Sequence, residues 1–154
     1  MPRPSGFGRM TGKTIKLRAQ HLDSIAKHGE ATYPYECCGI LFGRLMNGEK
    51  VLEELYPVEN AKEQVAQQKR FLIRPEQLKE GERNAQQKQL EVLGFYHSHP
   101  EAEARPSAFD LEHAWPFYSY IIVSVKGRQA SELTSWRMAD DRARFDPEQI
   151  ISLD

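Results

Sequence analysis

The chain has 154 residues, a length that suits one domain with a sizeable core. Its 21 lysine and arginine residues nearly balance 22 aspartate and glutamate residues, for a net charge of −1. This balance argues against a nucleic-acid partner, because phosphate binding requires a cationic face. No apolar run approaches the roughly 18 residues of a membrane span, and the first residues lack the apolar segment of a secretory signal. We therefore expect no membrane partner.

The organisation of the chain is simple. No internal repeat or shift in composition marks a boundary inside it. We predict that residues 1–13 form a flexible tail and that residues 14–154 form a single domain. The tail and the start of the domain are locally basic, and a solvated arm is the preferred interpretation over a binding site. The basic residues are Arg3, Arg9, Lys13, Lys16 and Arg18.

The first half of the domain contains alternating strand and helix patterns. The patterns predict strands over residues 14–17, 38–43, 51–58 and 70–73, and a helix over residues 19–32. Pro34 ends the helix, and Asn47-Gly48 is a hairpin signal between the second and third strands. The polar stretch over residues 59–69 has no clear period, and we predict a loop there.

The second half continues in the same way. The patterns predict a helix over residues 75–89, strands over residues 92–97, 118–125 and 133–138, a short helix over residues 107–114, and an edge strand over residues 143–145. Pro75 stands at a helix start, where its missing N–H costs nothing, whereas Gly81 weakens the middle of that helix. Since strands and helices are mixed, we expect an α+β fold or a three-layer α-β-α arrangement.

The strongest chemical signal lies at the end of the strand over residues 92–97. His97 and His99 are two residues apart, so on a strand both imidazoles face the same side and can reach one point. Asp110 follows after a short loop. Two histidines and one carboxylate are three ligands for a tetrahedral metal ion with an open fourth position, as catalytic zinc requires. This donor set suits zinc without excluding iron, cobalt or manganese.

Each of these residues also has an ordinary structural interpretation. A strand can carry two histidines for packing alone. Ser107 and Asp110 fit a helix capping box, in which a serine and a carboxylate satisfy the first N–H groups of a helix. The two interpretations are compatible, because a capped first turn can also carry a ligand. Glu36 alone is an ordinary surface glutamate at the end of a helix, and only the combination makes it a candidate general base.

The other histidines are interpreted as structural. His21 and His28 fall on the first predicted helix, and we predict that both lie at the surface. His113 lies one turn after Asp110 and could approach the metal, but a surface position or a place behind the ligands is the preferred interpretation.

The two cysteines, Cys37 and Cys38, are adjacent. A disulfide between neighbours would be strained, so no structural disulfide is available within the chain, which fits a reducing cytoplasm. A vicinal pair also lacks the C-x-x-C spacing of a thiolate metal site. We predict two small core residues and a cytoplasmic protein.

Taken together, the candidate base, the candidate ligands and Ser107 match a known sequence motif. Glu36, His97-Ser98-His99-Pro100, Ser107 and Asp110 fit the pattern E…H-[ST]-H-P-x6-S-x2-D at every position. This pattern is the JAMM motif of the MPN-domain metalloproteases, and the flanking residues 34–43 and 94–96 resemble those of its small prokaryotic members. The resemblance covers residues 14–138. It implies an MPN fold, which is a curved mixed sheet with a helix on each side.

The resemblance also implies a role for each residue. His97, His99 and Asp110 would hold zinc, with water as the fourth ligand. Glu36 would accept a proton from that water and pass it to the leaving amine. Ser107 would donate a hydrogen bond to the developing oxyanion.

The substrate implied by the resemblance is the C-terminus of a ubiquitin-fold protein. Small prokaryotic members act on ThiS/MoaD-like sulfur-carrier proteins, which end in Gly-Gly, and hydrolyse the peptide or isopeptide bond that follows. The short connection between Asp110 and the strand over residues 118–125 leaves little room to hold a second ubiquitin, so a carrier is preferred over polyubiquitin. Two alternatives stay open: a small-peptide or cysteine-conjugate hydrolase without a carrier partner, and a non-catalytic MPN scaffold.

Overall fold

The computed structural model describes residues 14–60 and 73–154. The predicted tail over residues 1–13, most of the predicted loop over residues 59–69 and nearly all of the predicted strand over residues 70–73 therefore lie outside the described residues. In the described ranges, the elements along the chain are β1 (Thr14–Leu17), α1 (Ala19–Thr32), β2 (Cys38–Met46), β3 (Glu49–Val58), α2 (Pro75–Gln87), β4 (Glu91–Pro100), α3 (Ala108–His113), β5 (Ser119–Lys126), β6 (Gln129–Met138) and β7 (Phe145–Ser152).

The predicted elements within these ranges are confirmed in kind, with one correction. The strand at residues 143–145 was predicted to be an edge strand, and this is wrong. β7 begins only at Phe145 and pairs with both β6 and β1, so it lies inside the sheet. Pro147, which has no N–H to donate, precedes the residues that pair with β1 and therefore does not interrupt that ladder.

The strands form one mixed sheet that closes on itself in the order β1-β3-β2-β4-β5-β6-β7. The pairs β1/β3, β1/β7 and β4/β5 are parallel, and the other neighbours are antiparallel. The predicted α+β class and the predicted mixed sheet are confirmed.

Helices pack on both faces of this sheet, because successive strand residues point to opposite sides. Leu41 of β2 packs in a core cluster with Ile25 of α1. Its neighbours Ile40 and Phe42 pack in a second cluster with Ala85 of α2. The first face is the interior of the closed sheet, and the second is its outer face.

Two helical glycines allow the helices to approach the sheet closely. A Cβ atom at Gly29 of α1 would lie 3.0 Å from a methyl group of Val125, and one at Gly81 of α2 would lie 2.7 Å from Cδ1 of Ile40. Gly81, which the sequence marks as a weak point of the helix, is therefore a point of close packing. None of the described helices is both long and apolar enough to cross a membrane.

Candidate metal centre

The two motif histidines lie on the outer face of β4. Ser98 and Tyr96 alternate with them and point to the interior, where Tyr96 joins the core and Ser98 Oγ accepts a hydrogen bond of 2.8 Å from Cys37 N. His97 and His99 are both buried. Strand alternation thus directs both imidazoles to one side, as the spacing predicted.

α3 brings the third residue to the same point. Ser107 is the N-cap of α3, and its Oγ accepts from Asp110 N at 3.1 Å, while Ser107 N donates to Asp110 Oδ2 at 2.8 Å. The capping box predicted as the structural interpretation is therefore present. It also orients the Asp110 carboxylate, because one of its oxygens is fixed by the backbone.

The ligand atoms of the three residues lie at similar separations. His97 Nε2 and His99 Nε2 are 3.1 Å apart. Asp110 Oδ2 lies 3.4 Å from His97 Nε2 and 3.3 Å from His99 Nε2. Zinc bonds of about 2.0–2.1 Å at tetrahedral angles place neighbouring ligand atoms about 3.3 Å apart. The three atoms therefore fit three of the four ligand positions around a tetrahedrally coordinated divalent cation.

The loop after β4 fixes the ring of His99. Its Nδ1 lies 2.9 Å from the backbone oxygen of Glu103, and a carbonyl can only accept, so Nδ1 carries a proton. In the neutral ring, Nε2 then holds the lone pair that a metal ligand needs. Ser124 Oγ donates to Ala102 O and Thr134 Oγ1 donates to Ala104 O, each at 2.6 Å, and both bonds hold this loop in place.

Burial and charge act in opposite directions at the three residues. Burial lowers the pKa of His97, against the influence of Asp110. Burial alone would lower the pKa of His99 and raise that of Asp110. The hydrogen bonds to Asp110 and Glu103 O nevertheless raise the pKa of His99. The charge of His97 and its hydrogen bond, followed by the bonds from His99 and Ser107 N, lower the pKa of Asp110. Asp110 is therefore a carboxylate that faces the two rings.

Glu36 lies beside this group and is not at the surface. Its side chain is buried, and its charge contributes to the raised pKa of His99. β2 and β4 pair Cys38 with His97 and Gly39 with Tyr96. Continued two residues beyond the start of β2, this antiparallel register places Glu36 opposite His99.

The turn that carries Glu36 is tied to the loop after His99. The hydroxyl of Tyr33 donates to the Glu101 carboxylate, which also accepts from Gly127 N at 2.7 Å. Asn60 Nδ2 donates to the backbone oxygen of Glu36 at 3.0 Å. The candidate base is thus held on both sides of its turn.

Two histidine predictions are wrong. His21 is buried, with Nδ1 accepting from Arg18 N at 3.0 Å and Nε2 lying 3.2 Å from Glu53 O. His28 is half-buried, with Nδ1 2.7 Å from the hydroxyl of Tyr96. Both rings satisfy buried polar groups, which apolar periodicity does not reveal.

The surface position predicted for His113 and the core positions predicted for the two cysteines are confirmed. His113 is exposed and stacks on Phe109 at 4.1 Å, outside the three-residue group. Cys37 and Cys38 are free and buried. Burial raises the pKa of the Cys37 thiol to about 12 and also raises that of Cys38, so neither supplies a thiolate near neutral pH.

The sequence did not reveal an apolar groove next to the three residues. The groove has a volume of about 220 Å³ and is lined by Ile73, Leu78, Phe95, Phe109, His113, Trp115 and Tyr120. Phe95 shares the outer face of β4 with His97, and Phe109 directly precedes Asp110. The positions of Phe95 and Phe109 relative to His97 and Asp110 are the sequence feature that could have revealed the groove. We call it the aromatic groove.

Comparisons with known proteins agree with this fold and geometry. Residues 18–139 match the family described as prokaryotic homologs of the JAB domain. Over 129 residues the chain is 34% identical to the desampylase of Haloferax volcanii, covering 79% of this chain and 88% of that protein. It is 29% identical over 138 residues to the CysO-cysteine peptidase of Mycobacterium tuberculosis, covering 89% of this chain and 91% of that protein.

Solved structures show the same fold. A Salinibacter ruber protein is 36% identical, with a TM-score of 0.72 over 90% of this chain and 92% of that one. A JAB1/MPN-domain protein from Archaeoglobus fulgidus is 19% identical, with a TM-score of 0.55 over 90% of this chain and 98% of that one. These likenesses define an MPN-domain hydrolytic metalloenzyme, which sets aside the non-catalytic scaffold. Within that class, the chain belongs to the prokaryotic homologs of the JAB domain.

Proposed function

We propose that this protein is a zinc-dependent peptidase or isopeptidase that hydrolyses the bond after the C-terminal Gly-Gly of a ubiquitin-fold sulfur-carrier protein. The observation that carries the proposal is the common spacing of 3.1–3.4 Å among the ligand atoms of His97, His99 and Asp110. The names of its relatives, desampylase and CysO-cysteine peptidase, favour a conjugate as the substrate. The carrier as partner, zinc as the metal and the cytoplasmic location are part of the proposal.

His97, His99 and Asp110 would hold the metal. A zinc ion bound there would lower the pKa of a bound water toward ~7 and polarise the scissile carbonyl. Glu36, opposite His99, would take the proton from the attacking water and deliver it to the leaving amine.

Ser107 would stabilise the oxyanion. Its Oγ accepts the capping bond from Asp110 N, so its own O–H can still donate to a substrate carbonyl oxygen. Ser107 would therefore have two roles. It caps α3, and it offers a hydrogen-bond donor beside the ligand that α3 carries.

The aromatic groove is where we place the carrier's tail. It starts at Phe95 and Phe109, next to the ligands, and its lining is apolar except for His113 and the Tyr120 hydroxyl. An apolar side chain upstream of Gly-Gly would fill it, and the two glycines would pass the crowded ligands. The tail could also add as a strand along the polar segment over residues 59–69, of which residues 61–69 lie outside the described ranges.

Cleavage of a defined carrier tests this function. We expect a Gly-Gly carrier extended by one cysteine, or joined through Gly-Gly to a lysine side chain, to lose that group, as read by mass spectrometry. The reaction should stop with a metal chelator and resume with added zinc, and E36Q protein provides the inactive control. Efficient cleavage of free dipeptides with no cleavage of any extended carrier would instead establish the small-peptide hydrolase.

A further inference from the structure

A buried cluster of polar side chains lies inside the closed sheet, away from the metal centre. Lys50 of β3 is only 2% exposed and Glu148 of β7 only 5%. Lys50 Nζ donates to Ser119 Oγ at 2.8 Å and lies 3.8 Å from Glu148 Oε2, while Ser135 Oγ donates to Glu148 Oε1 at 2.7 Å. Removing two charges from water is costly, and such a pair is retained for more than stability in some proteins.

Lys50 also holds one unusual residue. Its Nζ donates to the backbone oxygen of Phe117 and lies 4.7 Å from the centre of the Phe117 ring. Phe117 has φ of 80°, in the left-handed region that a bulky residue rarely adopts. Such a backbone conformation persists only when its surroundings impose it, and it is common at ligand-binding segments. Lys50 contacts both the carbonyl and the ring of Phe117, and the ring also lies edge-on to Tyr118 at 5.5 Å.

Phe117 belongs to the connection between α3 and β5. None of the residues of α3 is fully buried, so α3 is positioned by the packing of Leu111 against the Ala114, Tyr120 and Met138 cluster and by its two ends. At its C-terminal end, Ala114 is buried and Trp115 N donates to the Tyr120 hydroxyl at 2.9 Å. Trp115 and Tyr120 form one wall of the aromatic groove, and Trp115 is 60% exposed. Arg142 lies over the Trp115 ring at 4.6 Å and Pro116 forms a bridge with Met138, so the contact made inside the sheet is one of several that hold the chain that carries the groove wall.

We propose that Lys50 is a positioning residue for substrate binding, which holds Phe117 in its left-handed conformation from inside the sheet and so places Trp115 at the wall of the aromatic groove. The proposal rests on the proposed function only for what the groove binds. Lys50 touches neither the substrate nor the metal ligands, and it acts through Phe117 and Trp115.

The test monitors the environment of the Trp115 ring directly by ¹⁹F NMR. The chain has two tryptophans, so protein labelled with 5-fluorotryptophan gives two ¹⁹F resonances, which a W136F variant assigns. In K50M we expect the Trp115 resonance to shift or broaden, while that of Trp136, which donates to Thr134 Oγ1 at 2.8 Å, stays in place. The double variant K50M/E148Q should give the same result, and it leaves no unpaired carboxylate if K50M alone does not fold. K16M is the matched control, because Lys16 on β1 pairs with Glu49 at 2.8 Å and faces solvent.

Kinetics separate positioning from a merely structural role. With an extended carrier as substrate, K50M/E148Q should raise KM by about tenfold, the scale expected when an aromatic contact is displaced, and leave kcat within about twofold. Glycine adopts positive φ freely. In an F117G background, adding K50M should therefore change the Trp115 resonance less than it does in the parent chain.

The outcomes also distinguish this proposal from the proposed function. An unchanged Trp115 resonance in K50M/E148Q overturns the role of Lys50, even if carriers are cleaved. Equal changes in both tryptophan resonances overturn it as well, since they indicate general loosening of the fold. Failure of the wild-type protein to cleave any carrier overturns the proposed function but leaves the resonance test intact.

Discussion

Two buried charged clusters lie on opposite faces of one sheet, and they differ in the partners that their carboxylates face. Inside the sheet, the Glu148 carboxylate faces a cation of the same chain, Lys50. Ser135 Oγ donates to Glu148 Oε1, whereas Glu148 Oε2 accepts no hydrogen bond from the described residues and lies 3.8 Å from Lys50 Nζ. On the outer face, the Asp110 carboxylate faces two imidazole nitrogens, and the three atoms are spaced like ligands of a single ion. Burial of charge alone therefore does not mark a metal site in this fold, whereas the spacing and the orientation of lone pairs do.

The two clusters also differ in the groups that orient their side chains. The outer cluster is oriented by backbone groups, namely Glu103 O at His99 and Ser107 N at Asp110. The inner cluster is held mainly by other side chains, Ser119 and Ser135, with one backbone group, the Phe117 oxygen that accepts from Lys50. Backbone groups fix ligands at low entropic cost, as a site that must keep its geometry during turnover requires.

The largest expected effect is the loss of metal after removal of a ligand. We predict one zinc per chain in the wild-type protein and a metal affinity at least about 100-fold lower in H97A or D110A, because two donors are left of three. D110N is the matched variant, since its amide oxygen can still accept from Ser107 N and preserve the cap. Elemental analysis without chelators measures the stoichiometry. Wild-type protein without any bound transition metal would remove the basis of the contrast between the clusters.

The next effect concerns turnover without loss of metal. We predict that E36Q keeps the fold and the metal but lowers kcat by about 10²- to 10⁴-fold, because glutamine preserves the shape and cannot take the proton. Steady-state rates with an extended carrier, together with elemental analysis, give both quantities. A near wild-type rate would show that Glu36 is not the base.

Ser107 separates the capping role from the catalytic one. We predict that S107A lowers kcat by about 10²-fold through loss of the oxyanion donor. It should also cost about 1 kcal/mol of stability through loss of the cap. S107T keeps the hydroxyl and should retain most of both. A variant that loses stability with unchanged kcat would reduce Ser107 to its capping role.

The geometry of the candidate metal centre could be predicted from the sequence because its determinants are local. Strand alternation over three residues directs His97 and His99, and a capping box over four residues directs Asp110. Glu36 was predicted only through the motif, because its burial depends on the register of β2 against β4 and not on its neighbours in the chain.

Features that depend on distant pairing could not be predicted in this way. β7 closes the sheet against β1 from the other end of the chain, and no local pattern in residues 143–145 reveals it. His21 was assigned to the surface because a polar ring breaks an apolar stripe, although its ring bonds Arg18 N and Glu53 O. Lys50 looks like an ordinary strand lysine until β5 and β7 surround it.

The last and smallest effect decides what the inner cluster contributes to stability. Burial lowers the pKa of Lys50 from an ordinary 10.5 to about 8, with Arg137 of β6 acting in the same direction and Glu148 of β7 opposing both. The folded chain therefore releases this proton at a lower pH than the unfolded chain. Between these two pKa values the unfolded state binds more protons, so the contribution of Lys50 to the free energy of unfolding rises with pH.

K50M/E148Q has neither group and provides the reference. We expect the free energy of unfolding of the wild-type protein, minus that of the double variant, to increase by about 2 kcal/mol between pH ~7 and pH ~10, as measured by urea denaturation. A pair dominated by attraction would instead raise the pKa of Lys50, and the same difference would then fall as the pH rises above the unfolded value. The sign of this slope therefore decides whether burial or the attraction of Glu148 dominates the pKa of Lys50.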